Sequence, residues 1–165
     1  MEWCWCRETV HDRRIRYNIY GKPWNVDDTD DISLPVAYSE YEMKVLSEAS
    51  RADDGIEFSE LRITNDVGTL VYKDLWKRGF IVTEGSKFGA DFLLYKSNPS
   101  TSHAVAMVAL CNSANTMSQF LYGRMANVIN KVAIFVKHHN REISYTTLLY
   151  DKVDKSYTEQ DGINL

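Results

Sequence analysis

Three side chains that can transfer protons or stabilise charge stand where apolar segments begin or end. Tyr95 closes the run KFGADFLLY, His103 opens the run HAVAMVAL eight residues later, and Lys131 opens KVAIFV. An imidazole with an ordinary pKa of about 6.5 can give or take a proton near neutral pH, whereas a phenol with a pKa of about 10 needs help to ionise. A protonated lysine cannot act as a base, but its charge stabilises developing negative charge. The three residue types therefore suit acid–base catalysis around an anionic transition state.

Each residue also has an ordinary structural explanation. A tyrosine can end a strand with its hydroxyl in water, a histidine in a polar loop is commonly a surface residue, and most lysines are solvated. The residue types alone do not establish a catalytic site. Whether the three can meet depends on the elements that carry them.

Two helices are predicted before these segments. SEYEMKVLSEA begins at Ser39, a residue type that favours the N-cap, and it places several apolar residues on one helical face. VGTLVYKDLWKRG can be capped by Asn65 or Asp66 and ended by Gly79. Residues 1–33 show no sustained period of 2 or 3.6, so we expect an irregular segment there.

Five strands and a third helix are predicted after Gly79. FIVTEG and ADFLLY form two short strands joined through SKFG, HAVAMVALC is apolar on both faces like a central strand, and KVAIFV and EISYTTLLY form a final pair. The helix TMSQFLYGRMANVIN is predicted between HAVAMVALC and KVAIFV. Its apolar stripe is expected to comprise Met117, Leu121, Met125 and Val128.

This order of elements predicts an α/β (α+β) domain in which helices flank a mixed β-sheet. Strand ends can converge at one edge of such a sheet, so we expect Tyr95, His103 and Lys131 to meet there. The predicted organisation is an irregular segment over 1–33, a remnant of an N-terminal domain over 34–60, the main domain over 61–150 and a polar tail over 151–165.

The bulk sequence limits the classes of protein that fit. A net charge of −4 over 165 residues gives no global basic field, so a nucleic-acid partner must be held by local groups or by other subunits. The three cysteines, Cys4, Cys6 and Cys111, are widely spaced, which indicates reduced thiols in the nucleus or cytosol. The longest uncharged stretch, 97–122, carries several polar residues and makes a poor membrane span.

Four segments in order resemble the catalytic domain of the tRNA-splicing endonuclease family: VYKDLWKRGFIVTEGSKFGADFLLY, NPSTSHA, GRMANVINKVAIFV and ISYTTLLY. The patterns DLxxRGF and KFGxDFLxY, with a histidine eight residues after the tyrosine, are most similar to the eukaryotic catalytic subunit that cuts the 3′ splice site. LPVAYSEYEMKVLSEA is similar to the end of that subunit's N-terminal domain. The resemblance covers residues 34–150.

The resemblance implies an activity and a set of catalytic residues. Family members cleave RNA without a metal or cofactor, using the neighbouring 2′-hydroxyl and leaving a 2′,3′-cyclic phosphate and a 5′-hydroxyl. Tyr95, His103 and Lys131 match the catalytic triad by position. The family proposal makes the tyrosine the base and the histidine the acid, although the residue chemistry also allows the reverse assignment.

The resemblance also implies contacts with substrate. Arg124 matches an arginine that sandwiches an RNA base against an aromatic residue of the same subunit, which here would be Tyr145 or Tyr150. A guanidinium can stack on an unpaired base, so the role is physically sound. The alternative is that Arg124 is an ordinary solvated residue of the helix.

Partners follow from the resemblance too. The implied substrate is an intron-containing pre-tRNA, and the implied assembly is a hetero-oligomer of endonuclease subunits, a heterotetramer in the nucleus or alternatively the cytoplasm. The loop KHHNRE is basic or neutral in overall character, unlike the acidic loop with which non-catalytic subunits dock, so the chain is expected to accept such a loop. EISYTTLLY matches the strand that pairs with the companion subunit.

Three other interpretations are compatible with parts of the sequence. One is a structural subunit of the same complex that has lost productive geometry. Another is a metal-dependent nuclease, for which Asp91 and Glu84 lack a convincing lysine partner in the next strand. A zinc site at Cys4, Cys6 and His11 lacks a second ligand pair at suitable spacing.

Overall fold

The computed structural model describes residues 1–24, 33–53, 66–110, 116–139, 142–151, 154 and 156–165, without the side chains of 51–53 and 116–118. The chain forms two compact units. The first comprises Met1–Thr83 with Ser97–Thr101, and the second comprises Glu84–Lys96 with Ser102–Leu165.

The first unit contains a small antiparallel sheet and helices. Its sheet has the strand order β1-β3-β2. The elements are β1 (Glu2–Cys4), α1 (Arg7–Tyr17), β2 (Lys22–Pro23), β3 (Val36–Tyr38), α2 (Glu40–Asp53) and α3 (Val67–Lys77).

The expectation of an irregular segment at the N-terminus was wrong for the described residues, which form β1, α1 and β2. The helix α1 is rich in arginine, and among its residues only Val10 is buried. A single buried residue produces no apolar periodicity, so the sequence pattern gave no sign of this helix.

Local capping explains why α2 and α3 begin where they do, and it confirms both predicted helices. The Ser39 hydroxyl accepts a hydrogen bond from the Glu42 N–H at 3.2 Å, and the Glu42 carboxylate accepts one from the Ser39 N–H at 2.7 Å. This reciprocal pair is a capping box. The Asp66 carboxylate caps α3 by accepting from Gly68 N–H and Thr69 N–H, while Asn65 lies outside the described residues.

The larger sheet has six strands in the order β4-β5-β6-β7-β8-β9, of which β5 to β9 and the end of β4 belong to the second unit. The pairs β5/β6, β7/β8 and β8/β9 are antiparallel, and β6/β7 is parallel. The sheet is therefore mixed, as predicted. Its elements are β4 (Ile81–Glu84), β5 (Phe92–Tyr95), β6 (Ala106–Leu110), α4 (Thr116–Val128), β7 (Val132–His139), β8 (Glu142–Asp151) and β9 (Ser156–Asp161).

The apolar stripe expected on α4 was wrong for Leu121, Met125 and Val128, and the side chain of Met117 lies outside the described residues. Leu121 is 58% exposed, Met125 40% and Val128 83%, whereas Tyr122 and Ala126 are buried in the core of the second unit. A Cβ added to Gly123 would collide with Leu148 of β8, so the helix lies close to the sheet at this glycine. Both faces of α4 carry apolar residues. The buried face is the one that lets the helix pack closely against the sheet.

The segment after Tyr150, expected to add little to the domain, contains β9. This strand pairs with Thr146–Asp151 of β8, and β7 pairs with Glu142–Leu148, so β8 has a neighbour on each side over Thr146–Leu148. Within this chain the main chain of Thr146–Leu148 is therefore already paired, and the expectation that EISYTTLLY pairs with a companion subunit stays a prediction. The sequence did not predict β9, because SYTEQD is polar, mostly exposed and shows no alternation of apolar residues.

Within the described part of the chain, no helix combines the length and apolar character needed to cross a membrane.

Candidate active site

The ends of three strands bring Tyr95, His103 and Lys131 to one edge of the larger sheet. Tyr95 is the last residue of β5, and Lys131 directly precedes β7. His103 lies three residues before Ala106, at which β6 begins. Because β5 is antiparallel to β6 and β6 is parallel to β7, the end of β5 lies beside the starts of β6 and β7. All three residues also belong to the second unit.

The strand register places Tyr95 and Lys131 on either side of Val105. The Val105 N–H donates to the Leu94 carbonyl at 2.8 Å, and the Val132 N–H donates to the Val105 carbonyl at 3.0 Å. Two inter-strand spacings separate Tyr95 from Lys131, which corresponds to roughly 10 Å between their backbones.

Side chains at Tyr95 and Lys131 emerge on the same face of the sheet. Leu93 and Ala133, two residues away from each along their strands, both belong to the core cluster that packs beneath α4. Successive side chains alternate between faces, so Tyr95 and Lys131 share that face. Tyr95 is half-buried and packs against the same cluster.

The C-terminus of α4 fixes the backbone of Lys131. Asn130 has φ +55°, its N–H donates to the Asn127 carbonyl at 3.0 Å, and the Lys131 N–H donates to the Ala126 carbonyl at 2.8 Å. This is a Schellman motif, in which a residue with left-handed conformation ends the helix. The helix end therefore determines where the lysine enters β7.

The Lys131 ammonium lies beside the residue that follows His103. Its Nζ donates to the Ala104 carbonyl at 3.2 Å and lies 5.8 Å from the centroid of the Phe88 ring. An ammonium has three N–H donors, so the bond to Ala104 still allows contact with an oxyanion. His103 itself is exposed and accessible to a ligand.

Arg124 is exposed on α4, and the two tyrosines considered as its partner lie on opposite faces of the sheet. Tyr150 shares the face of Leu148, which α4 covers, whereas Tyr145 lies on the other face and is only 6% exposed. The structure therefore brings Tyr150, but not Tyr145, to the side of the sheet that carries Arg124.

Sequence reasoning missed a second aromatic residue in this region. Tyr157 of β9 pairs with Tyr150, and their ring centroids are 4.9 Å apart. Burial raises the pKa of the Tyr157 phenol, the nearby Tyr150 raises it further, and the charge of Arg124 lowers it. Arg124, Tyr150 and Tyr157 therefore form one cluster, the arginine–tyrosine cluster, beside α4.

The carboxylates considered for a metal-dependent nuclease have structural partners. Asp91 Oδ2 accepts from the Leu110 N–H at 2.7 Å, and Glu84 Oε1 accepts from the Ser86 hydroxyl at 3.0 Å. Among the described residues, no three His, Cys, Asp or Glu side chains are grouped as ligands for a metal ion. Cys4 is buried and Cys6 is exposed, both as free thiols, and Cys111 lies outside the described residues.

Comparison with known proteins identifies similar sequences. The family model for the tRNA intron endonuclease catalytic C-terminal domain matches residues 65–145. The tRNA-splicing endonuclease subunit Sen34 of Mus musculus is 48% identical over 44 residues, which span 27% of this chain but only 14% of that subunit.

Two archaeal proteins align over most of their length. The tRNA-splicing endonuclease of Sulfolobus acidocaldarius is 28% identical over 147 residues, covering 76% of this chain and 81% of the archaeal protein. That of Saccharolobus islandicus strain L.S.2.15 is 27% identical over 167 residues, covering 87% and 92% respectively. The match to Sen34 is therefore local, whereas the archaeal similarity also extends outside residues 65–145.

Proposed function

We propose that this chain, which belongs to the tRNA intron endonuclease family through its catalytic C-terminal domain, is the catalytic subunit that cleaves pre-tRNA at the 3′ splice site. The observation that carries the proposal is the placement of Tyr95, His103 and Lys131 at one sheet edge, with Tyr95 and Lys131 on one face. The family gives the class of enzyme, and this placement supports a catalytic role for the chain itself.

The proposed reaction is a transesterification within RNA. The 2′-hydroxyl loses its proton and attacks the adjacent phosphorus, the bond from phosphorus to the 5′-oxygen breaks, and that oxygen takes a proton. The products are a 2′,3′-cyclic phosphate and a 5′-hydroxyl. A base, an acid and a positive charge near the phosphorane suffice for these steps, so no metal or cofactor is required.

Tyr95 and His103 divide the two proton transfers, and Lys131 stabilises the charge on the phosphorane. The half-buried Lys131 is held by the Ala104 carbonyl, so its ammonium is already in place when substrate binds. Such preorganisation is the main source of electrostatic catalysis. The exposed His103 is accessible to the leaving 5′-oxygen or to the 2′-hydroxyl, according to which way the substrate lies.

Arg124 and Tyr150 hold an unpaired base of the substrate. The guanidinium is exposed, and Tyr150 lies on the face of the sheet that α4 covers, supported by Tyr157. Stacking on an arginine or an aromatic ring is a common way to bind splayed-out RNA bases. Tyr145, in contrast, has no exposed ring face to offer.

The proposed assembly is a hetero-oligomer, a heterotetramer, located in the nucleus or alternatively the cytoplasm. The net charge of −4 supports the need for partners, because an acidic chain alone attracts RNA weakly. The β7/β8 hairpin carries His138 and His139 at its end and no acidic docking sequence, which suits an acceptor of a partner's acidic loop. A companion strand that pairs along Thr146–Leu148 would have to displace β7 or β9.

The test is cleavage of an intron-containing pre-tRNA, in chelator, by the complex reconstituted with wild-type chain or with His103→Ala. Scoring the two splice sites separately, we expect the variant to lose cutting at the 3′ site only, and the wild type to leave a cyclic phosphate. Equal cutting at both sites by both proteins would make this chain a structural subunit. Loss of wild-type cutting in chelator, restored by Mg²⁺, would indicate a metal-dependent nuclease instead.

A further inference from the structure

Phe88 presents an aromatic ring to solvent beside the proposed active site. Its side chain is 40% exposed, and its ring lies 5.8 Å from the Lys131 ammonium. An isolated exposed apolar residue needs no explanation. The position of this ring, next to the cation that is proposed to face the scissile phosphate, is a more specific feature.

A tight turn holds Phe88 in place. The 3₁₀ turn Ser86–Phe88 closes with the Phe88 N–H donating to the Gly85 carbonyl at 2.9 Å, and the Gly85 N–H donates to the Asp91 carbonyl at 3.1 Å. A Cβ on Gly85 would lie only 2.9 Å from the Ala90 Cβ, so the backbone is closely packed at the base of the turn. The ring is therefore carried by a fixed support at the start of β5.

The exposed apolar surface around the ring extends onto α4. A Cβ on Gly89 would lie 3.3 Å from Met125 Cε, so the turn lies against Met125, which is itself 40% exposed. We call the exposed residues Phe88 and Met125, which lie on the turn and against it, the apolar shelf; the Lys131 ammonium lies beside its Phe88 ring. One end of this surface suits an anion and the other suits a flat apolar group.

We propose that the Phe88 ring is a stacking platform for the nucleobase of a nucleotide that flanks the scissile phosphate. A nucleotide combines a phosphate and a flat base joined by one sugar, which matches the pairing of Lys131 with the shelf. Aromatic rings bind bases of single-stranded RNA by stacking, with little dependence on sequence. This inference rests on the proposed function, because it takes Lys131 to be the group that faces the phosphate.

The experiment separates stacking from a purely structural role. The reconstituted complex is tested with the wild-type chain and with Phe88→Ala, Phe88→Leu and Phe88→Trp. Leu121→Ala is the control at another exposed apolar residue of the same unit. The readout is the Kd for a pre-tRNA with a 2′-deoxy nucleotide at the 3′ splice site, which cannot be cleaved. The same RNA is also made with abasic nucleotides on both sides of that site.

We expect Phe88→Ala and Phe88→Leu to weaken binding of the intact RNA by about 10-fold to 100-fold, and Phe88→Trp to retain tight binding. On abasic RNA, all four variants should bind like the wild type, because the base that would stack is missing. Leu121→Ala should bind both RNAs normally. Thermal melts of each chain identify any variant that fails to fold, and Phe88→Leu, which keeps apolar volume, then provides the decisive comparison.

Two results would overturn the proposal. If Phe88→Leu binds intact RNA as tightly as wild type, the ring contributes no stacking. If the loss persists in full on abasic RNA, Phe88 acts through Lys131 or the fold. Cleavage by the wild type is scored separately. A complex that shows the expected binding pattern but does not cut the 3′ site would refute the proposed function without refuting the stacking site.

Discussion

Tyr95 and Lys131 lie on opposite sides of Val105, at the ends of two strands that both pair with β6, and their side chains share one face of the sheet. Hydrogen bonds from Val105 and Val132 to main-chain carbonyls fix this arrangement. A change that shifts the β5/β6 or β6/β7 register by one residue would move one side chain to the opposite face. The separation of the two groups is thus a property of the sheet and not of a mobile loop.

Lys131→Gln should remove the proposed transition-state charge while leaving the fold intact. Loss of one preorganised donor at a developing oxyanion lowers kcat by about 100-fold to 1,000-fold. Single-turnover cleavage at the 3′ site measures the loss, and Lys137→Gln, an exposed lysine on β7, serves as the matched control. Normal cleavage by Lys131→Gln would refute the role given to this lysine.

The arginine–tyrosine cluster predicts which tyrosine affects RNA binding. Tyr150→Ala and Arg124→Ala should each weaken binding of the uncleavable pre-tRNA, by about 5-fold to 100-fold for a lost stacking contact. The double variant should lose less than the sum of the two losses in binding free energy, because both residues hold one base. Tyr145→Phe, which keeps the buried ring, should bind normally. Additive losses for Arg124 and Tyr150 would show that they do not share a base.

Thr147 should stabilise the C-terminal strand. Its hydroxyl is buried, donates to the Gly162 carbonyl at 2.7 Å and accepts from the Asn164 N–H at 3.1 Å. Thr147→Val keeps the shape but leaves those groups without their partner, which costs about 1–3 kcal/mol of unfolding free energy. Urea unfolding measures the change, and Ser144→Ala, at an exposed position of β8, should change stability by less than about 0.5 kcal/mol. An equal response from both variants would contradict the role of Thr147.

Asp66 should contribute pH-dependent stability at the start of α3. Its hydrogen bond from the Thr69 hydroxyl, together with the Gly68 and Thr69 N–H groups and the Lys44 charge, lowers the pKa of this carboxyl. The contribution is therefore present above the unfolded pKa of about 3.9 and is lost as the pH falls through the lower folded value. Asp66→Asn keeps a capping oxygen but cannot titrate, so its unfolding free energy should fall less steeply below about pH 4 than that of the wild type. Parallel pH profiles for the two proteins would exclude this contribution.

Helix starts were predictable because they depend on short-range contacts. Ser39 and Glu42 are three residues apart, as are Asp66 and Thr69, and each pair makes its hydrogen bonds within one helical turn. The buried face of α4 was not predictable, since the sequence offers two apolar stripes. Only the approach of Gly123 to Leu148 and Tyr157 determines which stripe is buried.

Strand β9 was not predictable either, because it is held by main-chain hydrogen bonds to β8 and by the packing of Tyr157 against Gly123. A polar strand carries no apolar alternation, and its partner is chosen by the fold. That pairing covers Thr146–Asp151, so it also decides which part of the sheet can meet another chain.

The sequence by itself determined that Tyr95, His103 and Lys131 stand at the boundaries of apolar segments, since residue type and hydrophobic pattern are local properties. Only the tertiary structure decided that those boundaries lie at one edge, and that Tyr150 and not Tyr145 shares the face of α4. The physical reason is that strand order, strand direction and register arise from contacts between residues distant along the chain, and one residue of register exchanges the two faces of a strand.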